Sequence, residues 1–215
     1  TVTYGTRGAA APTTEVTFDN CTKTTGMPCY STSIIGNASL AWIQRHVRSN
    51  NNTHPQPFFS LISLKAPHLQ DGPGFPMSIP APWYENTSIP EQQAPRTPNY
   101  NISCPNHHWL VRSQLPLTQK QGEKIDQLYQ SRLKTLLSVD DLVRDLVTNL
   151  DDDLGVLNNT YIIFTSDNGY RLGQFQMPCC KLHPYENDIR VPMIIRGPGI
   201  AAGGKTRSDI VGTHV

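Results

Sequence analysis

Two oxygen-bearing side chains, Asp167 and Asn168, stand side by side within Thr165-Ser166-Asp167-Asn168-Gly169. A carboxylate and an amide carbonyl are the hard donors that Ca2+ or Mg2+ takes. The run Tyr161-Ile162-Ile163-Phe164 precedes them, and its β-branched and aromatic content predicts a buried strand. Asp-Asn-Gly then reads as the sharp turn leaving that strand, at the end where open α/β sheets gather their ligands. Alone, the tripeptide is ordinary turn chemistry. Two further groups enlarge the set. Lys181 offers a compact ammonium with three donors, suited to an anion. His68, in Lys65-Ala66-Pro67-His68 after the apolar run Phe58 to Leu64, offers an imidazole that titrates near neutrality. Taken singly, the lysine would be a surface residue and the histidine a loop residue bonded to backbone.

Downstream come Tyr185-Glu186-Asn187-Asp188-Ile189-Arg190-Val191-Pro192 and Arg196-Gly197-Pro198-Gly199. With Ser166-Asp167-Asn168-Gly169, the spaced Lys181 and Pro67-His68, this ordered set resembles the sulfatase family of the alkaline-phosphatase superfamily. It looks most like the arylsulfatase and N-acetylglucosamine-6-sulfatase branch. The resemblance covers about Phe58 to Val215, and Thr1 to Pro57 carries little recognisable signal. It implies an α/β fold, a three-layer α/β/α sandwich of alkaline-phosphatase type, incomplete in this chain. It implies Ca2+ held by Asp167 and Asn168 as half of the family's metal site. Lys181 matches the lysine that contacts the substrate sulfate. His68 matches the histidine that binds sulfate or protonates the leaving oxygen. Gly169 is expected to let the backbone turn tightly beneath the metal ligands. Glu186 and Asp188 are expected to position the loop rather than react. Gln70 stands where the family often has proline, and Arg171 where it often has histidine. The second departure bears on substrate preference.

The family nucleophile is a formylglycine made from the Cys or Ser of Cys/Ser-x-Pro-x-Arg. No such motif occurs in this sequence; Ser88-Ile89-Pro90-Glu91-Gln92 comes nearest and lacks the arginine. The paired aspartates of the family's amino-terminal half-site have no match, because Asp151-Asp152-Asp153 follow a helix. The chain therefore reads as a middle portion of a sulfatase catalytic domain, expected to be inactive alone on sulfate esters of aryl or sugar substrates. One alternative is a non-catalytic, degenerate or truncated sulfatase-like glycoprotein. Another is a phosphoesterase of the same superfamily, whose sites usually bring two transition metals and more His and Asp ligands.

These residues need elements to hold them. Ile34 to Val47 has the spacing of an amphipathic helix. Phe58 to Leu64 and Val191 to Ile195 read as strands. Thr118 to Leu150 is the clearest helix: Thr118 with Gln121 forms a capping box, and Ile125, Leu128, Tyr129, Leu133, Leu136, Leu137, Val143, Leu146, Val147 and Leu150 make its apolar stripe. Asp151-Asp152-Asp153 and Gly155 end it, and a kink near Ser138 is plausible for a helix of about 48 Å. Asp140 and Asp141, within it, are assigned no chemistry. Strand, helix and strand from Phe58 to Phe164 outline a right-handed crossover. Between Pro67 and Pro116 stand ten prolines, so regular elements cannot run far there. Trp83, Tyr84, Trp109, His107 and His108 lie in that stretch, placed either to stack on a sugar or aryl ring at a cleft rim or to pin the loop.

With 215 residues the chain can bury a core as one domain. A formal net charge of +1 without a basic block gives no case for nucleic acid. No apolar run reaches the ~20 residues of a membrane-spanning helix. Six sequons, at Asn20, Asn37, Asn51, Asn86, Asn101 and Asn158, favour the secretory pathway, secreted or lysosomal. The five cysteines fit no zinc spacing. Cys21 and Cys29 are spaced so that a disulfide between them would close a short loop, at most one of the adjacent Cys179 and Cys180 is expected to bond to Cys104, and unpaired thiols are the alternative.

Overall fold

The computed structural model describes residues 30–49, 56–70, 74–201, 203–204 and 212. The Cys21–Cys29 loop and the sequons Asn20 and Asn51 lie outside the described residues.

Two helices carry the body. Helix α1 spans Ser31–Ser49. A short helix α2 spans Trp109–Arg112, and α3 spans Gln119–Thr148. The capping box is present: Gln121 N–H donates to Thr118 Oγ1 at 3.3 Å and Thr118 N–H donates to Gln121 Oε1 at 2.8 Å. Each satisfies a backbone amide that the first turn leaves open. At its far end α3 widens into a π-turn over Asn149–Asp153. Gly155, at φ 63°, then lets its own N–H reach Asp151 O at 3.1 Å and Val156 N–H reach Leu150 O at 2.9 Å.

The buried face of α3 is Ile125, Leu128, Thr135, Ser138, Val139 and Leu142. This is rotated from the stripe read in the sequence, and Val143 is exposed. The reason is α1, which crosses at Gly36: a Cβ there would lie 2.6 Å from Leu142 Cδ1, so a larger residue would have to displace the leucine side chain. Beyond the crossing, Ile43, Leu150 and Leu157 form a buried cluster, with Trp42, Phe58, Leu146 and Ile162 packed on it.

The proline-rich stretch is irregular, as the prolines require, but it is tied down along α3. Arg96 and Ala94 N–H bond the Asp126 carboxylate, Gln130 Nε2 donates to Gln92 O, Lys134 Nζ to Glu85 O, and Tyr84 Oη to Asp141. Contacts later on the helix meet residues earlier in the stretch, so the two run antiparallel. Asp141 thus has a structural role, shared with Arg144 at 2.8 Å. Trp83 meets Tyr30 edge to face and pins the stretch to the start of α1.

The sheet departs most from expectation. Strand β1, Ile162–Phe164, pairs antiparallel with β2, Ile194–Arg196, with Ile163 opposite Ile195. A short helix α4, Glu186–Ile189, lies between them. Phe58 to Leu64 joins no ladder, so the strand and the crossover expected there are not formed among the described residues. Nor is the sheet buried: Ile163 of β1 is 58% and Ile194 of β2 61% exposed, and Phe59 and Leu61 are also exposed. Helices dominate, with one two-stranded antiparallel sheet, so the expected three-layer α/β/α sandwich is not formed among the described residues. No helix among them is long and apolar enough to cross a membrane.

Candidate oxyanion and metal site

The turn after β1 carries the candidate metal ligands. Asp167 is exposed at its tip, and its Oδ1 accepts from Ser166 Oγ at 3.4 Å. Asn168 is half-buried; its Nδ2 donates to Gly169 O at 2.7 Å, which leaves Oδ1 facing away from its own backbone. Lys181 Nζ donates to that Oδ1 at 2.7 Å. The structure therefore brings Asn168 and Lys181 into direct contact.

Gly169 is needed here for space, not for a left-handed backbone. It is absent from the positive-φ glycines, and a Cβ on it would lie 2.1 Å from Asn187 O. This corrects the expectation of a special turn conformation. The close approach lets Gly169 N–H donate to Asp188 O at 2.7 Å, fastening the turn to α4.

Asp188 organises the lysine loop. Its Oδ2 accepts from Leu182 N–H at 3.0 Å and His183 N–H at 2.8 Å, the two amides following Lys181. Its Oδ1 faces Arg171 Nε at 3.0 Å, with the two side chains 4% and 3% exposed. Arg171 also receives support from Cys180 O and Met177 Sδ. Burial pushes its guanidinium below the usual range, and the Asp188 carboxylate opposes that. Arg171 is thus an interior strut.

Cys179 and Cys180 are bonded to each other, and Cys104 is a free thiol. The expected bond from one of them to Cys104 is not formed. Phe175, Gln176, Cys180 and Leu182 all hold positive φ, so this loop is bent repeatedly. A wall of half-buried rings flanks it: His107 lies 5.3 Å from Phe175 and 5.4 Å from Tyr185 between centroids. His108 instead caps α2, where Leu110 N–H donates to its Nδ1.

His68 is exposed, in a turn closed by its own N–H to Lys65 O at 2.7 Å, with Nδ1 2.7 Å from Leu69 O. No direct bond joins it to Lys181, Asp167 or Asn168 among the contacts of the described residues. The link between its turn and the metal turn is Arg132 of α3. Arg132 Nη1 donates to Pro67 O at 3.2 Å, and its guanidinium lies 3.9 Å from the centroid of the Tyr170 ring. Burial lowers the arginine pKa and raises that of Tyr170. Arg132 was not singled out in the sequence. Its signal was a charge interrupting the buried series Leu128, Thr135, Val139 on α3.

The donor chemistry at Asp167 and Asn168 suits Ca2+, but two side-chain oxygens fall short of the six to eight ligands such an ion takes. No group of three His, Cys, Asp or Glu is placed to hold a metal among the described residues. The two residues can therefore serve only as part of a shell.

The strand-end turn thus presents Asp167 and Asn168, with the Lys181 ammonium against the Asn168 amide oxygen and Asp188 bracing the loop that follows Lys181. The sulfatase family model matches residues 7–214, and the chain belongs to the sulfatase family. It is 44% identical over 172 residues to N-acetylglucosamine-6-sulfatase of Capra hircus, covering 80% of this chain and 28% of that protein. The Homo sapiens N-acetylglucosamine-6-sulfatase is 42% identical over 179 residues, with the same 80% and 28% coverage. The arylsulfatase of Volvox carteri is 32% identical over 204 residues, covering 86% of this chain and 30% of that protein. The chain thus spans less than a third of the length of these curated relatives. No solved structure matches it at a significant level.

Proposed function

We propose that this chain forms part of the catalytic domain of a calcium-dependent sulfuric ester hydrolase acting on aryl or sugar sulfates. The observation that supports the reading is the 2.7 Å contact between Lys181 Nζ and Asn168 Oδ1, the residues proposed here for sulfate and for calcium. Ca2+, when bound, polarises the sulfate oxygens. Asp167 and Asn168 supply two of its ligands. Lys181 meets the negative charge that builds on the sulfate oxygens. His68 protonates the departing alcohol. The formylglycine nucleophile and the other half of the metal site belong to sequence that this chain does not contain.

Other parts of the reading rest on the same kinship. The exposed apolar residues of β1 and β2 are suited to burial in a three-layer sandwich completed by further strands. Asn37, Asn86 and Asn158 are exposed and open to glycans, in keeping with a secreted or lysosomal protein. Asn101 is less suited, because its amide both accepts from Leu117 N–H at 2.7 Å and donates to Leu117 O at 3.5 Å.

The test has two arms. The purified 215-residue chain with Ca2+ and an aryl sulfate is expected to release no phenol beyond background. The full-length protein is expected to turn over, and Lys181→Met or Asp167→Ala within it to lower kcat/KM by about 100-fold or more. Full turnover by both variants overturns the site assignment. A second reading, a degenerate sulfatase-like glycoprotein, is favoured by the missing Cys/Ser-x-Pro-x-Arg. It gains if the upstream coding sequence also lacks that motif.

A further inference from the structure

Arg132 occupies an unusual position. It projects from the middle of α3, between buried Leu128 and Thr135, and is itself half-buried. It has no carboxylate within ion-pair distance among the described residues. A guanidinium in such surroundings holds its place through carbonyls and ring faces. Arg132 has one of each, and they belong to different parts of the chain. Its Nη1 donates to Pro67 O at 3.2 Å, the carbonyl immediately before His68, which Ser78 Oγ also bonds at 2.9 Å. Its plane lies over the Tyr170 ring, two residues after Asn168. Tyr170 in turn points its hydroxyl at Cys180 Sγ, 3.9 Å away and next to Lys181.

We propose that Arg132 is a positioning residue that sets the His68 turn against the Asn168–Lys181 turn, so that imidazole and ammonium close on one oxyanion. The inference rests on the site reading given above and adds a residue to it. Among the described residues no hydrogen bond joins His68 to Asn168 or Lys181, and Arg132 touches both turns. Lysine is a poor substitute: an ammonium lacks the planar fork that stacks on a ring while donating in its own plane.

The test is inorganic sulfate titrated into the full-length protein in calcium-containing buffer, with the His68 ring and Lys181 side-chain resonances followed by NMR. Sulfate is expected to move both resonances in the unsubstituted chain. In Arg132→Gln the His68 response is expected to vanish, while Lys181 still responds at about tenfold higher sulfate. General loosening of the fold would instead remove both responses together. Tyr170→Phe keeps the ring and is expected to behave as the unsubstituted chain, whereas Tyr170→Ala is expected to match Arg132→Gln. The tyrosine pair decides the matter if the arginine variant does not fold. A His68 response that survives in both Arg132→Gln and Tyr170→Ala, or survives in the one of them that folds, overturns the positioning role alone. Sulfate that moves neither resonance in the unsubstituted chain overturns the site reading, and this inference with it.

Discussion

Lys181 and Asn168 are joined ammonium to amide oxygen, so a positive charge rests against one of the two atoms assigned to a divalent cation. Without sulfate between them, the two cations repel. A unit charge and a doubly charged ion a few ångströms apart interact by several kcal/mol even at an effective dielectric near 20. Removing the ammonium should therefore help the metal. Lys181→Met is expected to tighten Ca2+ binding by about tenfold in sulfate-free buffer, about 1.4 kcal/mol. Calorimetric titration of Ca2+ into the full-length protein and its Lys181→Met variant checks it, and an unchanged affinity would mean that the ion does not use Asn168.

Gly169 is held between the metal turn and α4 with no room for a methyl group. Gly169→Ala must push Asn187 O away and so disturb the Gly169 N–H to Asp188 O bond. Overpacking of this kind costs about 1–3 kcal/mol. For a chain of this size each kcal/mol lowers Tm by about 2–4 °C. Because Asp188 also carries the amides after Lys181, the substitution is expected to weaken sulfate binding as well as stability. Thermal unfolding with a sulfate titration checks both, and a loss of stability alone would uncouple Asp188 from the lysine.

The parts of this chain that the sequence discloses are those fixed by neighbours in sequence. Thr118 and Gln121 are three residues apart, and their reciprocal bonds form wherever a helix starts; the box was legible for that reason. Asp167, Asn168 and Lys181 were legible through the order of motifs around them, and two of the three meet. What stayed hidden depends on distant partners. Phe58 to Leu64 has strand composition, but a strand exists only when a ladder partner is present. Val143 fits the helical stripe, yet α1 crosses at Gly36 and turns a different face inward. Gly169 looked like a turn residue because the carbonyl of Asn187 that excludes a side chain is eighteen residues away in sequence. Arg132 shows nothing locally of the two turns that it connects.

The Arg171–Asp188 pair is almost wholly enclosed, an ion pair at 3.0 Å in which Asp188 Oδ1 forms no hydrogen bond. Removing one side of such a pair leaves an uncompensated buried charge, at a cost of about 3–5 kcal/mol. Arg171→Met is expected to fall in that range by urea denaturation. Arg171→Met with Asp188→Asn removes the orphaned charge and keeps acceptors for Leu182 and His183 N–H, so it is expected to recover about half of the loss. Additive losses in the double variant would show that the two side chains act independently.

Two phenols report on the upper pH range. Donation to Asp141 raises the Tyr84 pKa, and burial raises that of Tyr170. A phenol that holds its proton more tightly when folded than when unfolded stabilises the fold below its unfolded pKa of about 10. That contribution declines as pH rises above 10 and is gone once the folded phenol has titrated. Stability to urea is therefore expected to fall from pH 9.5 to 11 more steeply in the unsubstituted chain than in Tyr84→Phe or Tyr170→Phe. Absorbance titration at the phenolate band is expected to show the highest-pH component shrinking in each variant. Identical slopes in all three proteins would show that neither phenol is linked to folding.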